Sequence, residues 1–259
     1  MSNVLFEVRD RVARVTLNRP ASMNAVDGET EQELQRIWAA IEADRGVRVV
    51  VLTGAGDRAF CAGSDMKNSD HKTGLEYWAA PRPDGFGGIA LRQTLDVPVL
   101  ARVNGFALGG GFEMVLGCDI VVACDDATFG LPEARVGRLP LDGGMTLLQR
   151  QIAFRPAMGI LLTGRRVPAR EALALGIVNE VVPRSDLDST VDRWVEDVLA
   201  CAPLSVRAIK QVVRRAAHLS ASEAQAQRLP ALIEALESED SQEGVLAFRE
   251  KRAPVWKGR

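Results

Sequence analysis

The chain has little histidine, few aromatic side chains and almost no net charge. Only two histidines, His71 and His218, occur among its 259 residues. A catalytic triad built on imidazole would depend on one of these two, and a zinc site would have few ligands. Aspartate and glutamate together number 34, so carboxylates are the abundant groups for proton transfer. We therefore expect carboxylates to carry out any acid–base chemistry.

Several classes of partner and location are also disfavoured. The 32 Lys and Arg residues do not exceed the acidic ones, so the chain lacks the positive excess that neutralises nucleic-acid phosphates. No apolar run approaches the roughly 20 residues that cross a bilayer, and no basic segment followed by an apolar one opens the chain. The four cysteines contain no CxxC pair and are expected to be free thiols. These observations predict a cytoplasmic protein without a membrane or nucleic-acid partner.

The hydrophobic pattern predicts an α/β protein. The composition, 47% hydrophobic and 25% charged, is that of a globular protein with a core. Segments 4–8 and 12–17 alternate as in a hairpin, and the continuous apolar runs 47–53, 97–103 and 119–124 are typical of buried strands. Helical patterns lie between these strands, which is the order of an α/β fold.

Other patterns locate the first helix and the domain organisation. Thr30 and Glu33 match a capping box that begins an amphipathic helix. Segment 67–88 has no sustained period and is predicted to be a long functional loop. From Asp186 onward only helical patterns occur. We therefore predict a catalytic core over residues 1–190 and a helical region over residues 191–259.

Two of the predicted strands end in glycines. The first leads into Gly54-Ala55-Gly56 and the other into a segment that contains Gly109-Gly110-Gly111. Glycine allows the backbone to approach a ligand, and free amides at a helix start can stabilise an oxyanion. Tight turns without a ligand are the alternative. A dinucleotide-binding turn is disfavoured, because no helical period follows Gly56.

Two acidic residues follow the second glycine cluster. Glu113 lies on a short apolar helix, and Glu133 comes 20 positions later, beyond a predicted strand. If both face one cleft, burial and mutual repulsion would separate their pKa values and give one acid and one base. The alternative is a helix-start acid and a separate solvated loop acid.

These segments together resemble the enoyl-CoA hydratase/isomerase family, the crotonases. The motifs are Phe60-Cys61-Ala62-Gly63-Ser64-Asp65, Asn104-Gly105-Phe106-Ala107-Leu108-Gly109-Gly110-Gly111-Phe112-Glu113 and Phe129-Gly130-Leu131-Pro132-Glu133. Further similarity, from Asn18-Arg19-Pro20 to the C-terminal Phe248-Arg249-Glu250-Lys251, extends it over nearly the whole chain. The resemblance implies a spiral of ββα units followed by a C-terminal helical trimerisation region.

The resemblance also implies a role for each motif residue. The amides of Ser64 and Gly110 match an oxyanion hole for the thioester oxygen. Glu113 matches the base that activates water for attack on C3, and Glu133 matches the acid that protonates C2. No metal and no permanently bound cofactor is implied, because coenzyme A arrives as part of the substrate.

The residues expected to bind substrate and coenzyme A lie in three places. They are Met23, Asn24 and Ala25, then Ser64, Asp65, Met66 and Lys67 with Gly110, and finally Phe248 and Lys251 from a neighbouring subunit. The family assembles as homotrimers or as homohexamers made of two trimers, so the same is expected here.

The resemblance leaves several activities open. Two glutamates favour an enoyl-CoA hydratase of the fatty-acid β-oxidation type. The loop 83–88 and the C-terminal segment are similar to carnitinyl-CoA dehydratases, and Tyr77, Trp78 and Phe86 could face a quaternary ammonium group. Asp142 adds a third carboxylate near the acyl pocket, which keeps double-bond isomerisation open. A non-catalytic RNA-binding relative is disfavoured, because segment 29–44 contains no lysine.

Overall fold

The computed structural model describes residues 2–67 and 73–259. Within this part of the chain, strands alternate with helices up to residue 182 and helices follow. The strands are β1 (Val4–Arg9), β2 (Val12–Leu17), β3 (Val49–Gly54), β4 (Ala59–Cys61), β5 (Val99–Val103), β6 (Phe106–Leu108), β7 (Ile120–Cys124), β8 (Thr128–Gly130), β9 (Val167–Pro168) and β10 (Glu180–Val182). The helices are α1 (Gly28–Ala43), α2 (Gly74–Ala79), α3 (Gly110–Gly117), α4 (Gly144–Gln151), α5 (Phe154–Thr163), α6 (Ala169–Ala174), α7 (Leu187–Leu199), α8 (Pro203–Arg215), α9 (Ala221–Ala226), α10 (Pro230–Glu237) and α11 (Glu239–Glu250).

The strands form two sheets that the chain visits in turn. One sheet has the order β1-β2-β3-β5-β7-β10, and the other has the order β4-β6-β8-β9. Each of β3, β5 and β7 lies in the first sheet and is followed by a short strand, β4, β6 or β8, in the second. The neighbours β3, β5 and β7 are parallel, as are β4, β6 and β8. This repeated step confirms the predicted α/β spiral and stacks the ends of β4 and β6 side by side.

Most of the predicted elements are present. The hairpin is β1–β2, with Arg9 paired to Val12, and the three apolar runs are β3, β5 and β7. The turn after Gly56 leads into β4 rather than a helix, in agreement with the exclusion of a dinucleotide turn.

Two local predictions were wrong. Helix α1 begins at Gly28, and its cap is Asp27, whose carboxylate accepts the amide hydrogen of Thr30 at 2.9 Å. Thr30 is buried inside the first turn and donates its own hydroxyl to Asp27, so it is not the cap. Segment 67–88 is also less irregular than predicted, since it contains α2, which a capping box at Thr73 begins. Residues 68–72 of that segment lie outside the described residues.

The main core fills the space between the sheets and the helices that cover them. Trp38 of α1 is fully buried, and its indole nitrogen donates to the carbonyl of Gly87 at 2.7 Å. Helix α7 contributes Leu187, Val191 and Val195 to this core. A second, smaller apolar cluster joins α8 to α10. The predicted domain boundary at 190/191 falls inside α7, and the two-domain division stays a prediction. Within the described part of the chain, no helix is long and apolar enough to cross a lipid bilayer.

Candidate active site

Two backbone amides, those of Ser64 and Gly110, lie side by side without acceptors. Ser64 follows β4 and pairs with Val26, which donates to the carbonyl of Gly63 and accepts from the amide of Asp65, each at 2.9 Å. Neither the Ser64 amide nor the Gly110 amide has an acceptor within residues 2–67 and 73–259. Two free donors on adjacent loops can bind an oxygen that gains negative charge.

Glycines bring these two amides together. A Cβ on Gly63 would lie 3.1 Å from the Gly110 nitrogen, and one on Gly111 would lie 2.1 Å from the Cys61 carbonyl oxygen. Gly63 also has φ +93°, which side chains disfavour. A Cβ on Gly110 would lie 2.6 Å from the ring of the buried Phe86. The loop after β4 therefore packs directly against the start of α3, with Phe86 over Gly110.

Glu113, in the first turn of α3, is a buried acid that the backbone holds in place. Its side chain is 3% exposed. Oε1 accepts hydrogen bonds from the amides of Asp142 at 3.0 Å and Gly144 at 2.8 Å. Loss of hydration raises the pKa of Glu113 to about 8, although the two amides act in the opposite direction. Glu113 is therefore a group that can hold or release a proton near neutral pH.

Glu133 reaches the same place from the turn after β8. A Cβ on Gly109 would lie 3.0 Å from its Oε1, next to the Gly110 amide. Its Oε2 is buried and has no hydrogen-bond partner among the described residues. Burial raises the pKa of Glu133, and its charge also raises the pKa of Glu113. The structure thus brings the two predicted carboxylates together beside the two amides.

A polar cluster adjoins Glu113. The Asp142 carboxylate accepts the Tyr77 hydroxyl, and its Oδ1 lies 3.4 Å from Nε of Arg82. The Arg82 guanidinium stacks 4.7 Å from the centre of the Tyr77 ring and lies 3.5 Å from Oε1 of Glu31. Burial raises the pKa of Glu31 and of Tyr77, the latter also through the charge of Asp142. We name these four residues, Glu31, Tyr77, Arg82 and Asp142, the acyl-side cluster.

Sequence reasoning identified half of this cluster. Asp142 was predicted near the acyl pocket, and Tyr77 was one of three candidate aromatics. Of the other two aromatics, Trp78 is exposed and Phe86 packs on Gly110. Arg82 and Glu31 were missed, because they meet only through the packing of segment 80–88 on α1. No local pattern marks either residue.

The residues predicted to bind coenzyme A have different surroundings. Asn24 is buried and uses its whole side chain inside the protein: Oδ1 accepts from Arg19, and Nδ2 donates to the carbonyls of Ala55 and Ala59. Asp65 forms an ion pair with Arg19 at 2.8 Å.

The remaining predicted contacts fall into two groups. Ser64, Met66 and Lys67 are exposed, whereas Met23 is half-buried and Ala25 is buried. Phe248 is exposed near the end of α11, and Lys251 follows that helix in a left-handed conformation. The described residues contain no group of three or more potential metal ligands.

Comparisons with known proteins point to one family. The family model for enoyl-CoA hydratase/isomerase matches residues 7–259. Carnitinyl-CoA dehydratase of Proteus mirabilis is 38% identical over 97% of both chains, and that of Escherichia coli K12 is 38% identical over 100% of both. The enoyl-CoA hydratase structure from Bacillus anthracis has TM-score 0.91, 32% identity and 100% coverage of both chains. The one from Mycobacterium tuberculosis has TM-score 0.88, 33% identity and 99% coverage of both. The family-model match over residues 7–259 and these relatives show that the chain belongs to the enoyl-CoA hydratase/isomerase family.

Proposed function

We propose that this protein catalyses the reversible addition of water to a 2-enoyl-CoA, giving a 3-hydroxyacyl-CoA. The observation that carries the proposal is the meeting of the buried Glu113 and the half-buried Glu133, both of raised pKa, with two unpartnered amides. The relatives named above are hydro-lyases, which supports the same reaction class. Coenzyme A is then part of the substrate, and no permanently bound cofactor is required.

The amides of Ser64 and Gly110 would bind the thioester oxygen. When water adds to C3, negative charge moves to this oxygen and an enolate forms. Two amides already aimed at the oxygen stabilise that charge without reorganising, and one such donor typically contributes about 3 kcal/mol. The same donors serve dehydration, because it passes through the same enolate.

The two glutamates would move the protons. In hydration, the ionised Glu113 takes a proton from water while the water oxygen bonds to C3. The protonated Glu133 then gives its proton to C2. In dehydration each step runs in reverse. Hydration and dehydration therefore both need one, and only one, of the two glutamates to be protonated. The raised pKa values of Glu113 and Glu133 allow this singly protonated state near neutral pH.

Coenzyme A would lie along segments 23–25 and 64–67. With the Asn24 side chain engaged by backbone carbonyls, backbone groups and the exposed Met66 and Lys67 are the candidate contacts. Phe248 and Lys251 would contact coenzyme A from a neighbouring subunit of a homotrimer or of a hexamer of two trimers. A cytoplasmic location agrees with four cysteines that form no disulfide.

Hydration of crotonyl-CoA by Glu113→Gln and Glu133→Gln variants tests the proposal. Each substitution keeps the side-chain shape but removes a proton-transfer group, so we expect turnover to fall by about 10²–10⁴-fold. Glu7→Gln, on the exposed face of β1, is the matched control and should keep wild-type turnover. Near-wild-type activity of either active-site variant would show that its assigned role is wrong.

A second candidate is dehydration of a 3-hydroxyacyl-CoA that carries a cation beyond C3, as carnitinyl-CoA does. The 38% identity to carnitinyl-CoA dehydratases favours it. In the acyl-side cluster, two carboxylates face one guanidinium, which leaves an excess of negative charge when both are ionised. That charge would attract a quaternary ammonium group. Isomerisation has less support, because Tyr77 and Arg82 already engage Asp142.

Two substrates of equal shape distinguish the candidates. Crotonobetainyl-CoA carries a trimethylammonium group, and 5,5-dimethylhex-2-enoyl-CoA carries a neutral tert-butyl group in its place. A preference for the charged substrate that Asp142→Asn and Glu31→Gln reduce would support the second candidate. Equal kcat/KM for both, with faster turnover of crotonyl-CoA, would leave the general hydratase.

A further inference from the structure

Arg19 lies behind the proposed oxyanion hole and joins three segments. Its guanidinium is largely buried and forms ion pairs with Asp65 at 2.8 Å and Asp27 at 2.9 Å. It also donates to the carbonyl oxygen of Ala25. A planar guanidinium with several fixed donors suits such a bridge better than a lysine does.

Asp65 transmits this contact to the Ser64 amide. It directly follows Ser64, and its own amide donates to the carbonyl of Val26 at 2.9 Å. Its Oδ1 accepts from the Lys67 amide at 3.1 Å, while Oδ2 contacts Arg19. Ser64 is therefore anchored on its C-terminal side by the side chain and the amide of Asp65, while the peptide that carries the Ser64 amide is held through the Gly63 carbonyl, which accepts from Val26.

Asp27, the other carboxylate that contacts Arg19, caps a helix. Asp27 caps α1 through Thr30, and its link to Ser64 runs through the backbone of the preceding Val26. The two carboxylates are nearly equidistant from the guanidinium, and both are largely buried. They consequently form a natural pair for comparison.

We propose that Arg19 is a positioning residue, which acts through Asp65 to hold the Ser64 amide toward the thioester oxygen. This inference rests on the proposed function. Oxyanion stabilisation depends on donor geometry, and a displacement of about 1 Å can cost about 10²-fold in rate. Arg19 touches no reacting atom in this arrangement, so its main effect is on the rate of enolate formation, beyond any change in the affinity for coenzyme A.

The test compares Asp65→Asn with Asp27→Asn in the full-length enzyme. Both remove one ion pair to Arg19, and asparagine caps a helix as well as aspartate does, so α1 keeps its cap in the control. Arg19→Met removes the guanidinium and with it the contacts to Asp27, Asp65 and Ala25. Arg19→Lys keeps a positive charge at this position. The readouts are kcat and KM for crotonyl-CoA, the affinity for free coenzyme A by calorimetry, and the ultraviolet band of enolised acetoacetyl-CoA.

We expect Asp65→Asn to lower kcat by about ten- to a hundredfold and to weaken the enolate band, and we expect this loss to exceed any loss of affinity for free coenzyme A. Asp27→Asn should stay within about twofold of the wild type, and Arg19→Lys should recover part of the loss in Arg19→Met. Equal effects of Asp65→Asn and Asp27→Asn, or a loss that follows coenzyme A affinity, would overturn the inference alone. A wild-type enzyme that neither hydrates crotonyl-CoA nor enolises acetoacetyl-CoA would overturn the proposed function as well.

Discussion

The protonation of Glu113 sets the conditions under which the proposed site can work. The residue is 3% exposed, and loss of hydration raises its pKa by more than the hydrogen bonds from the two amides lower it. Glu133 beside it also has a raised pKa through burial. Because two such close acids titrate as a coupled pair, the state with one shared proton extends up to about the higher of their two pKa values.

The first prediction concerns the pH dependence of turnover. Since hydration and dehydration both need one proton on the pair, kcat/KM should give the same bell in both directions. Its alkaline limb should lie near pH 8, where the pair of glutamates loses its one remaining proton. Initial rates with crotonyl-CoA and 3-hydroxybutyryl-CoA between pH 5 and about 10 measure this bell. A constant kcat/KM from neutral pH to the alkaline end would contradict it.

The second prediction is that Glu113→Gln stabilises the fold as the pH rises. The folded-state pKa of about 8 lies above the unfolded value, so the contribution of Glu113 to stability is greatest below about pH 4.3 and is lost as the pH rises to about 8. The full loss is on the order of 5 kcal/mol. Glutamine has no such loss and keeps an oxygen for the Asp142 and Gly144 amides. Urea unfolding between about pH 4.3 and about pH 8 measures the free energy of unfolding of the wild type and of Glu113→Gln, and the difference between them should widen as the pH rises. A difference that does not change with pH would refute the prediction.

Individual site residues could be predicted from the sequence where local motifs contain them, but not where a contact joins residues that are far apart along the chain. Glu113 and Glu133 stand in or beside glycine motifs, so local pattern and family resemblance identified them. The contact of Arg82 with Glu31 joins residues 51 positions apart and leaves no local mark. The engagement of Asn24 with the Ala55 and Ala59 carbonyls is likewise formed by folding.

At the scale of elements, close packing of β4 on α3 determines the geometry of the amides. The sequence predicted the strands and the glycine turns well, because buried parallel strands are continuous apolar runs. It misplaced the start of α1, since Asp27 and Thr30 are both good caps and only their geometry in the fold selects Asp27. It also missed α2, which is six residues long and too short for a clear period.

The third prediction is that Gly110→Ala disrupts both packing and activity. Its Cβ would lie 2.6 Å from three ring carbons of Phe86, so the ring or the start of α3 must move. Such overpacking typically costs about 1–3 kcal/mol, and the displaced amide should lower kcat by about 10²-fold. Gly159→Ala in α5 meets nothing within 4 Å and should leave turnover unchanged while stabilising the helix. Thermal melting and crotonyl-CoA turnover compare the two; wild-type kcat for Gly110→Ala would exclude a role for this amide.

For the whole molecule, the C-terminal helices present apolar side chains that their own chain leaves uncovered. Phe248 is 85% exposed, and Ile209 and Val213 of α8 and Leu236 of α10 are exposed too. The segment itself is well anchored, since the Trp256 indole donates to the Ala200 carbonyl at 2.7 Å. An anchored apolar surface of this kind suits contact with another subunit.

The fourth prediction is that this surface joins subunits and that Phe248 completes the coenzyme A site of a neighbour. Light scattering after size exclusion should give three or six times the mass of one chain. Phe248→Glu places a charge on the surface, so it should lower that mass or raise KM for crotonyl-CoA with little change in the fold, because Phe248 adds almost nothing to its own chain's core. Phe154→Glu, at another exposed phenylalanine, is the matched control and should change neither quantity. If both variants keep the wild-type mass and KM, the surface has a different partner and the coenzyme A site is complete within one chain.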